Sequence, residues 1–299
     1  EDSFTYKQTT VVYKTVGKLD IKAEVWRPDD DKVRPVVVWI HGGALIMGHR
    51  EAISGQVRKY ALERGHALIS LDYRLAPETK IDGIHDDIAD AFRWIRGDGA
   101  KRFHLDPNRV AVTGGSAGGY LTFVTGYLVK PRPTALVAFW GYGDLVGEWA
   151  AGPSPHPRHT RIAVTRAEAL QQAGGPPVSD ARDRTGDGVK FYLYGRQTGL
   201  WPQHISGLNA KTEPDRFTPF MPVRNVAPDY PPTLMIHGTI DTDVPYEQSV
   251  LMAAEFKKHG VKHELISIPN GEHGLAGGDP KLIEKAYESA AAFLDDQLK

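Results

Sequence analysis

The chain has 299 residues, 41% hydrophobic and 24% charged, with 36 Lys and Arg against 37 Asp and Glu and no cysteine. Those figures suit one soluble globular domain with a large core and give no overall attraction to nucleic acid or anionic lipid. They also exclude disulfides, thiolate metal sites and a cysteine nucleophile, and no apolar run approaches the roughly 20 residues of a membrane helix. The chain opens on Glu1 rather than Met, which leans toward an exported protein, periplasmic or secreted, with a cytoplasmic one as the alternative.

In chain order, Phe4 to Trp26 alternates in polarity and is expected to form an antiparallel edge hairpin. The runs Val36–Ile40, Ala67–Leu71, Val110–Val112, Ala135–Phe139 and Thr233–Ile236 are short, apolar and rich in β-branched residues. Such runs suit strands covered on both faces, as in a parallel sheet. Helical patterns lie between them. Ile84 to Arg96 sets Ile84, Ile88, Ala91, Phe92 and Ile95 on one stripe, and Tyr246–His259 and Pro280–Leu298 are similar. Strand alternating with helix predicts an α/β fold with a mostly parallel central sheet and helices on both faces. Residues 141–229 break the pattern. They are dense in Pro, Gly and Arg, and they read as an irregular cap or lid insertion within a single domain spanning 1–299.

The chemistry is carried by three segments. Gly114-Gly115-Ser116-Ala117-Gly118 fits G-x-S-x-G and follows the strand Val110–Val112. Small residues there permit a tight strand-to-helix turn that exposes a serine hydroxyl. A hydroxyl is a weak nucleophile until a base takes its proton, so a histidine and an orienting acid must lie elsewhere. Asp241 follows the strand Thr233–Ile236, and His273 sits in Gly271-Glu272-His273-Gly274 after a predicted strand Glu264–Ile268. The order Ser, Asp, His is the one used by α/β-hydrolases. Asp243 is the alternative acid.

Together with Trp39-Ile40-His41-Gly42-Gly43-Ala44 and Asp72-Tyr73-Arg74-Leu75-Ala76-Pro77-Glu78, these segments resemble the hormone-sensitive-lipase-like branch of the α/β-hydrolases, which are bacterial carboxylesterases. The stretch His237 to Ser249 also resembles prolyl-oligopeptidase-type hydrolases. The resemblance implies an oxyanion hole built from the backbone N–H groups of Gly43, Ala44 and Ala117, with Gly42 shaping the loop. The chain departs from the pattern in several places. Ala44 stands where a glycine is usual, and Gly115 where Asp or Thr usually precedes the serine. Thr79 to Gly83 replaces a Phe-Pro-Ala motif, and the family's N-terminal helical cap is not evident.

Trp140, Tyr142 and Trp201 are candidates for lining a substrate pocket, although aromatics at strand ends more often belong to a core. Arg74, Asp86 and Asp87 are read as an ion-paired scaffold. His156 and His159, in a Pro-rich loop without nearby carboxylates in sequence, are not read as a metal site. The expectation is a serine carboxylesterase acting on a small-molecule ester of short acyl chain, without cofactor or metal. Acetyl esterase action on sugars or xylan, amidase or peptidase action, and a non-catalytic hydrolase-fold binder are the other readings.

Overall fold

The computed structural model describes residues 4–299. Eight strands form one sheet in the order β1-β2-β4-β3-β5-β6-β7-β8. They are β1 (Tyr6–Val16), β2 (Leu19–Pro28), β3 (Arg34–Ile40), β4 (Ala67–Leu71), β5 (Leu105–Gly115), β6 (Ala135–Phe139), β7 (Thr233–Gly238) and β8 (His263–Ile268). β1 and β2 form the antiparallel hairpin, β2 pairs antiparallel with β4, and every other pairing is parallel. β1 lies at the edge and turns Lys7, Gln8 and Thr10 outward, which discourages pairing with another chain.

The alternation of a strand divides the core. Val36, Val38 and Ile40 of β3 face one layer, and Val37 and Trp39 face the other. The first layer is covered by the helices Ile81–Arg96 and Ala117–Leu128. The second is covered by Gly55–Glu63 and Pro280–Gln297. Each buried aliphatic side chain there contributes about 1.5–3 kcal/mol. β4 and β6 are buried along their whole length, which is why their sequences read as unbroken apolar runs.

Residues 140–232 connect β6 to β7. They contain short helices, among them Glu148–Ala151, Arg166–Leu170, Val189–Thr198 and Trp201–Ser206, and bury Phe191, Trp201, Ile205 and Phe217. Side chains fasten the segment to the rest of the fold. Arg184 donates to Ile46 O at 2.5 Å and to Ala76 O at 3.0 Å and pairs with Glu78 at 2.5 Å. Arg182 pairs with Glu51 at 2.9 Å. Of the expected scaffold residues, Arg74 grips Asp87 with two contacts of 2.8 Å, whereas Asp86 is exposed.

Burial holds His41, His66 and His85 neutral. It pushes His41 and His66 down to about 4 and His85 down to about 3. In the unfolded chain each titrates near 6.5, so below that pH the unfolded state binds more protons. Their contribution is complete above about pH 6.5 and is lost as pH falls toward 4, at roughly 2–3 kcal/mol each by pH 4.5. The melting temperature should therefore drop by about 10 °C or more between pH 7 and 4.5. A differential-scanning-fluorimetry curve that is flat across this range contradicts that accounting.

Candidate functional site

The site forms where β3, β5, β7 and β8 end on one edge of the sheet, the edge at which open α/β sheets take ligands. β5 runs into Ser116, which has φ 57° and ψ −121°, and the helix Ala117–Leu128 starts immediately after it. The left-handed turn is strained for a residue with a side chain. It persists because the surroundings fix it: Ser116 N–H donates to Phe139 O at 3.0 Å. A Cβ on Gly118 would lie 2.0 Å from Ile40 O, so only glycine allows the helix to start this close to β3. The Ser116 side chain does not cap the helix.

The hydroxyl instead faces an imidazole. Ser116 Oγ lies 3.1 Å from His273 Nε2, and His273 Nδ1 lies 2.8 Å from Asp241 Oδ2. The carboxylate at Nδ1 selects the tautomer: Nδ1 donates, and Nε2 presents its lone pair to the serine. Asp241 is 7% exposed. Its Oδ1 accepts from the N–H groups of Asp243 and Val244 at 2.8 and 2.9 Å. Burial raises its pKa, but hydrogen bonds from His237 and His273 outweigh that and hold it at about 2. Asp241 is therefore anionic at neutral pH.

Sequence reading missed Glu272. Its carboxylate accepts from His273 N–H and from Thr242 N–H, each at 2.7 Å, and also meets the Thr242 hydroxyl and Arg158. It thereby ties the histidine loop to the aspartate loop. Adjacency to His273 is the only trace of this in the sequence. Glu272→Ala should lower kcat/KM on p-nitrophenyl acetate by about 10–100-fold by loosening His273, with a smaller change in KM. Wild-type rates in a folded variant would remove this role.

The loop after β3 approaches from the other side. A Cβ on Gly42 would meet Gly115 O at 2.8 Å and Ser116 Cβ at 3.3 Å, so the loop lies directly against the serine turn. Gly43, Ala44 and Leu45 all have positive φ, of 109°, 57° and 64°. Ile46 and Met47 N–H both bond Gly43 O, at 2.9 and 2.7 Å. Among the described residues, the N–H groups of Gly43 and Ala44 make no hydrogen bond. Ala117 N–H stands at the positive end of its helix.

The three candidate pocket aromatics take different places. Trp140 lies beside His273, with ring centroids 6.3 Å apart. A Cβ on Gly115 would sit 3.2 Å from the Trp140 indole, so a larger residue before Ser116 would have little room. Tyr142 and Trp201 are each 1% exposed. Trp201 Nε1 donates to Ala44 O at 3.1 Å and so braces the loop.

Asp243, the alternative acid, does not reach Nδ1. Its Oδ2 lies 3.6 Å from His273 Nε2 instead. Its Oδ1 accepts from His159 Nε2 at 2.9 Å and from the Tyr192 hydroxyl, with Arg196 at 3.6 Å. The fold thus gives His159 a carboxylate partner 84 residues away. Burial raises the pKa of Asp243, but His159, His273 and Arg196 hold it well below the usual carboxylate range.

A family profile described as alpha/beta hydrolase fold matches residues 37–277. The chain is 28% identical to part of the non-reducing polyketide synthase pkbA of Emericella nidulans, a match covering 93% of this chain and 14% of that protein. The chain thus spans about a seventh of that relative's length. Among solved structures it resembles an esterase of Pyrobaculum calidifontis, with TM-score 0.69 and 23% identity, covering 98% of this chain and 83% of that one. It also resembles an acetyl ester-xyloside bifunctional hydrolase of Caldicellulosiruptor lactoaceticus, with TM-score 0.70 and 21% identity, covering 96% of each chain. These two likenesses carry the fold. No helix among the described residues is long and apolar enough to cross a membrane.

Proposed function

The chain belongs to the α/β-hydrolase-fold family, and on that premise we propose that it is a serine carboxylesterase cleaving short-chain esters through an acyl-enzyme. The observation that carries this reading is the hydrogen-bonded series Ser116 Oγ, His273, Asp241, with links of 3.1 and 2.8 Å at the mouth of the sheet. Ser116 Oγ attacks the ester carbonyl carbon while His273 Nε2 takes its proton. Asp241 stabilises the imidazolium without itself being protonated. The N–H groups of Gly43, Ala44 and Ala117 receive the oxyanion, and one such donor is worth about 3–4 kcal/mol in the transition state. The carbon–oxygen bond to the alcohol then breaks, and the Nε2 proton goes to the departing oxygen. A water, deprotonated by the same His273, releases the acid and restores Ser116.

The names of the similar structures, an esterase and an acetyl ester-xyloside hydrolase, support ester chemistry. Short acyl groups are favoured by the aromatic wall that residues 140–232 bring to the loop, with Trp201 on Ala44 and Trp149 packed on Trp201 at 5.7 Å. On p-nitrophenyl esters, kcat/KM for acetate or butyrate should exceed that for laurate at least about tenfold. A faster laurate would contradict the short-chain assignment. p-Nitroacetanilide should be cleaved far more slowly than the acetate, which separates the esterase from the amidase reading.

A further inference from the structure

Asp243 is not used in the mechanism above, yet it is the charged group nearest the atom that protonates the leaving alcohol. Its Oδ2 lies 3.6 Å from His273 Nε2 and makes no hydrogen bond among the described residues. The carboxylate is held in place through its other oxygen. Tyr192 and His159 donate to Oδ1, and Arg196 donates to the Asp243 carbonyl at 3.1 Å. Oδ2 is thus a fixed, unpartnered acceptor beside the leaving-group position. The Tyr142 hydroxyl and Trp149 Nε1 are buried without a hydrogen-bond partner, and their rings pack 5.4 Å apart. Arg196 stacks 5.4 Å over Trp149, which links this pair to the Asp243 cluster.

Buried polar groups without partners are costly unless a ligand supplies the missing bonds. An acceptor anion fixed beside the leaving-group position matches a group that donates a hydrogen bond. A hydroxyl does this. An ammonium fits less well, because Arg196 already neutralises much of the Asp243 charge.

We propose that Asp243 is a specificity-determining residue whose Oδ2 accepts a hydrogen bond from a hydroxyl next to the ester oxygen of the leaving group, so that the preferred substrates are esters of polyols or sugars. The inference rests on the carboxylesterase reading and adds the alcohol class to it. The geometry requires adjacency. Nε2 must come within about 3 Å of the leaving oxygen, and Oδ2 is then in reach of a hydroxyl one carbon further along. Asp243 stays ionised throughout and takes no proton. It positions the alcohol while the carbon–oxygen bond breaks and the Nε2 proton moves to the departing oxygen.

The test compares 2-hydroxyethyl acetate with propyl acetate, which have the same length and differ in a terminal hydroxyl against a methyl. For the wild-type protein kcat/KM should favour the hydroxylated ester about 10–100-fold. In Asp243→Asn, Tyr192 and His159 hold the amide oxygen in the Oδ1 place, so an NH2 group replaces the acceptor and the charge is lost. The ratio should then fall to within about threefold of one. A wild-type ratio near or below one overturns the proposal whether or not the variant folds, while hydrolysis of both esters keeps the esterase reading. A high ratio that survives in Asp243→Asn overturns the assignment to Asp243. Failure of the wild type to hydrolyse either acetate or p-nitrophenyl acetate would remove the esterase reading itself and this inference with it.

Discussion

Ser116→Ala is expected to lower kcat/KM for p-nitrophenyl acetate by about ten-thousandfold or more, with the melting temperature almost unchanged. In the mechanism above Ser116 Oγ is the group that attacks, and without it the oxyanion loop can only assist attack by water, a residual of about 10³–10⁴ over the uncatalysed rate in well-studied hydrolases. Stability should be insensitive because the hydroxyl does not cap the helix that follows. Alanine keeps the strain at φ 57°, but glycine relieves it. Ser116→Gly should therefore be inactive yet more stable by about 1 kcal/mol. Steady-state kinetics with thermal melts of both variants check this. Activity within tenfold of wild type in Ser116→Ala would sink the nucleophile assignment.

Asp241→Asn should be nearly as damaging, by about 10³–10⁴-fold in kcat, for a reason of geometry. The N–H groups of Asp243 and Val244 both donate to Oδ1. They will hold the asparagine carbonyl there and leave the NH2 group facing His273 Nδ1. A donor at Nδ1 forces the ring proton onto Nε2, which can then no longer take a proton from Ser116. KM should change little, because Asp241 is buried on the far side of His273 from Ser116. Asp243→Asn leaves the Nδ1 contact intact, so its loss on p-nitrophenyl acetate should be at least about tenfold smaller. If the two asparagine variants behave the other way round, the roles of the two carboxylates have been exchanged.

The parallel sheet was legible because its buried strands are continuous apolar runs such as Ala67–Leu71 and Ala135–Phe139. The serine turn was legible because close approach at Gly118 leaves a glycine signature next to the serine. Asp241 and Asp243 could not be separated in the same way. Both lie in one short loop, and only the direction of the chain after β7 decides which meets Nδ1 and which faces Nε2. Glu272 and the His159–Asp243 contact were hidden because they join segments far apart in sequence. The helix Gly55–Glu63 escaped notice because it buries only Val57, Tyr60 and Ala61. In 140–232 the apolar periodicity is weak because the helices are short and broken by Pro and Gly. That segment is held down by arginines, Arg182, Arg184 and Arg196, more than by a regular stripe.

One covalent intermediate is expected to form on Ser116. Titration with the organophosphate paraoxon, followed by peptide mass spectrometry, tests it most directly. One diethylphosphoryl group per chain should be found on the peptide containing Gly114 to Gly118, at Ser116, with esterase activity falling in proportion to labelling. Ser116→Ala should take up none. Full inactivation with Ser116 unlabelled, or full labelling of Ser116 with activity retained, would contradict it.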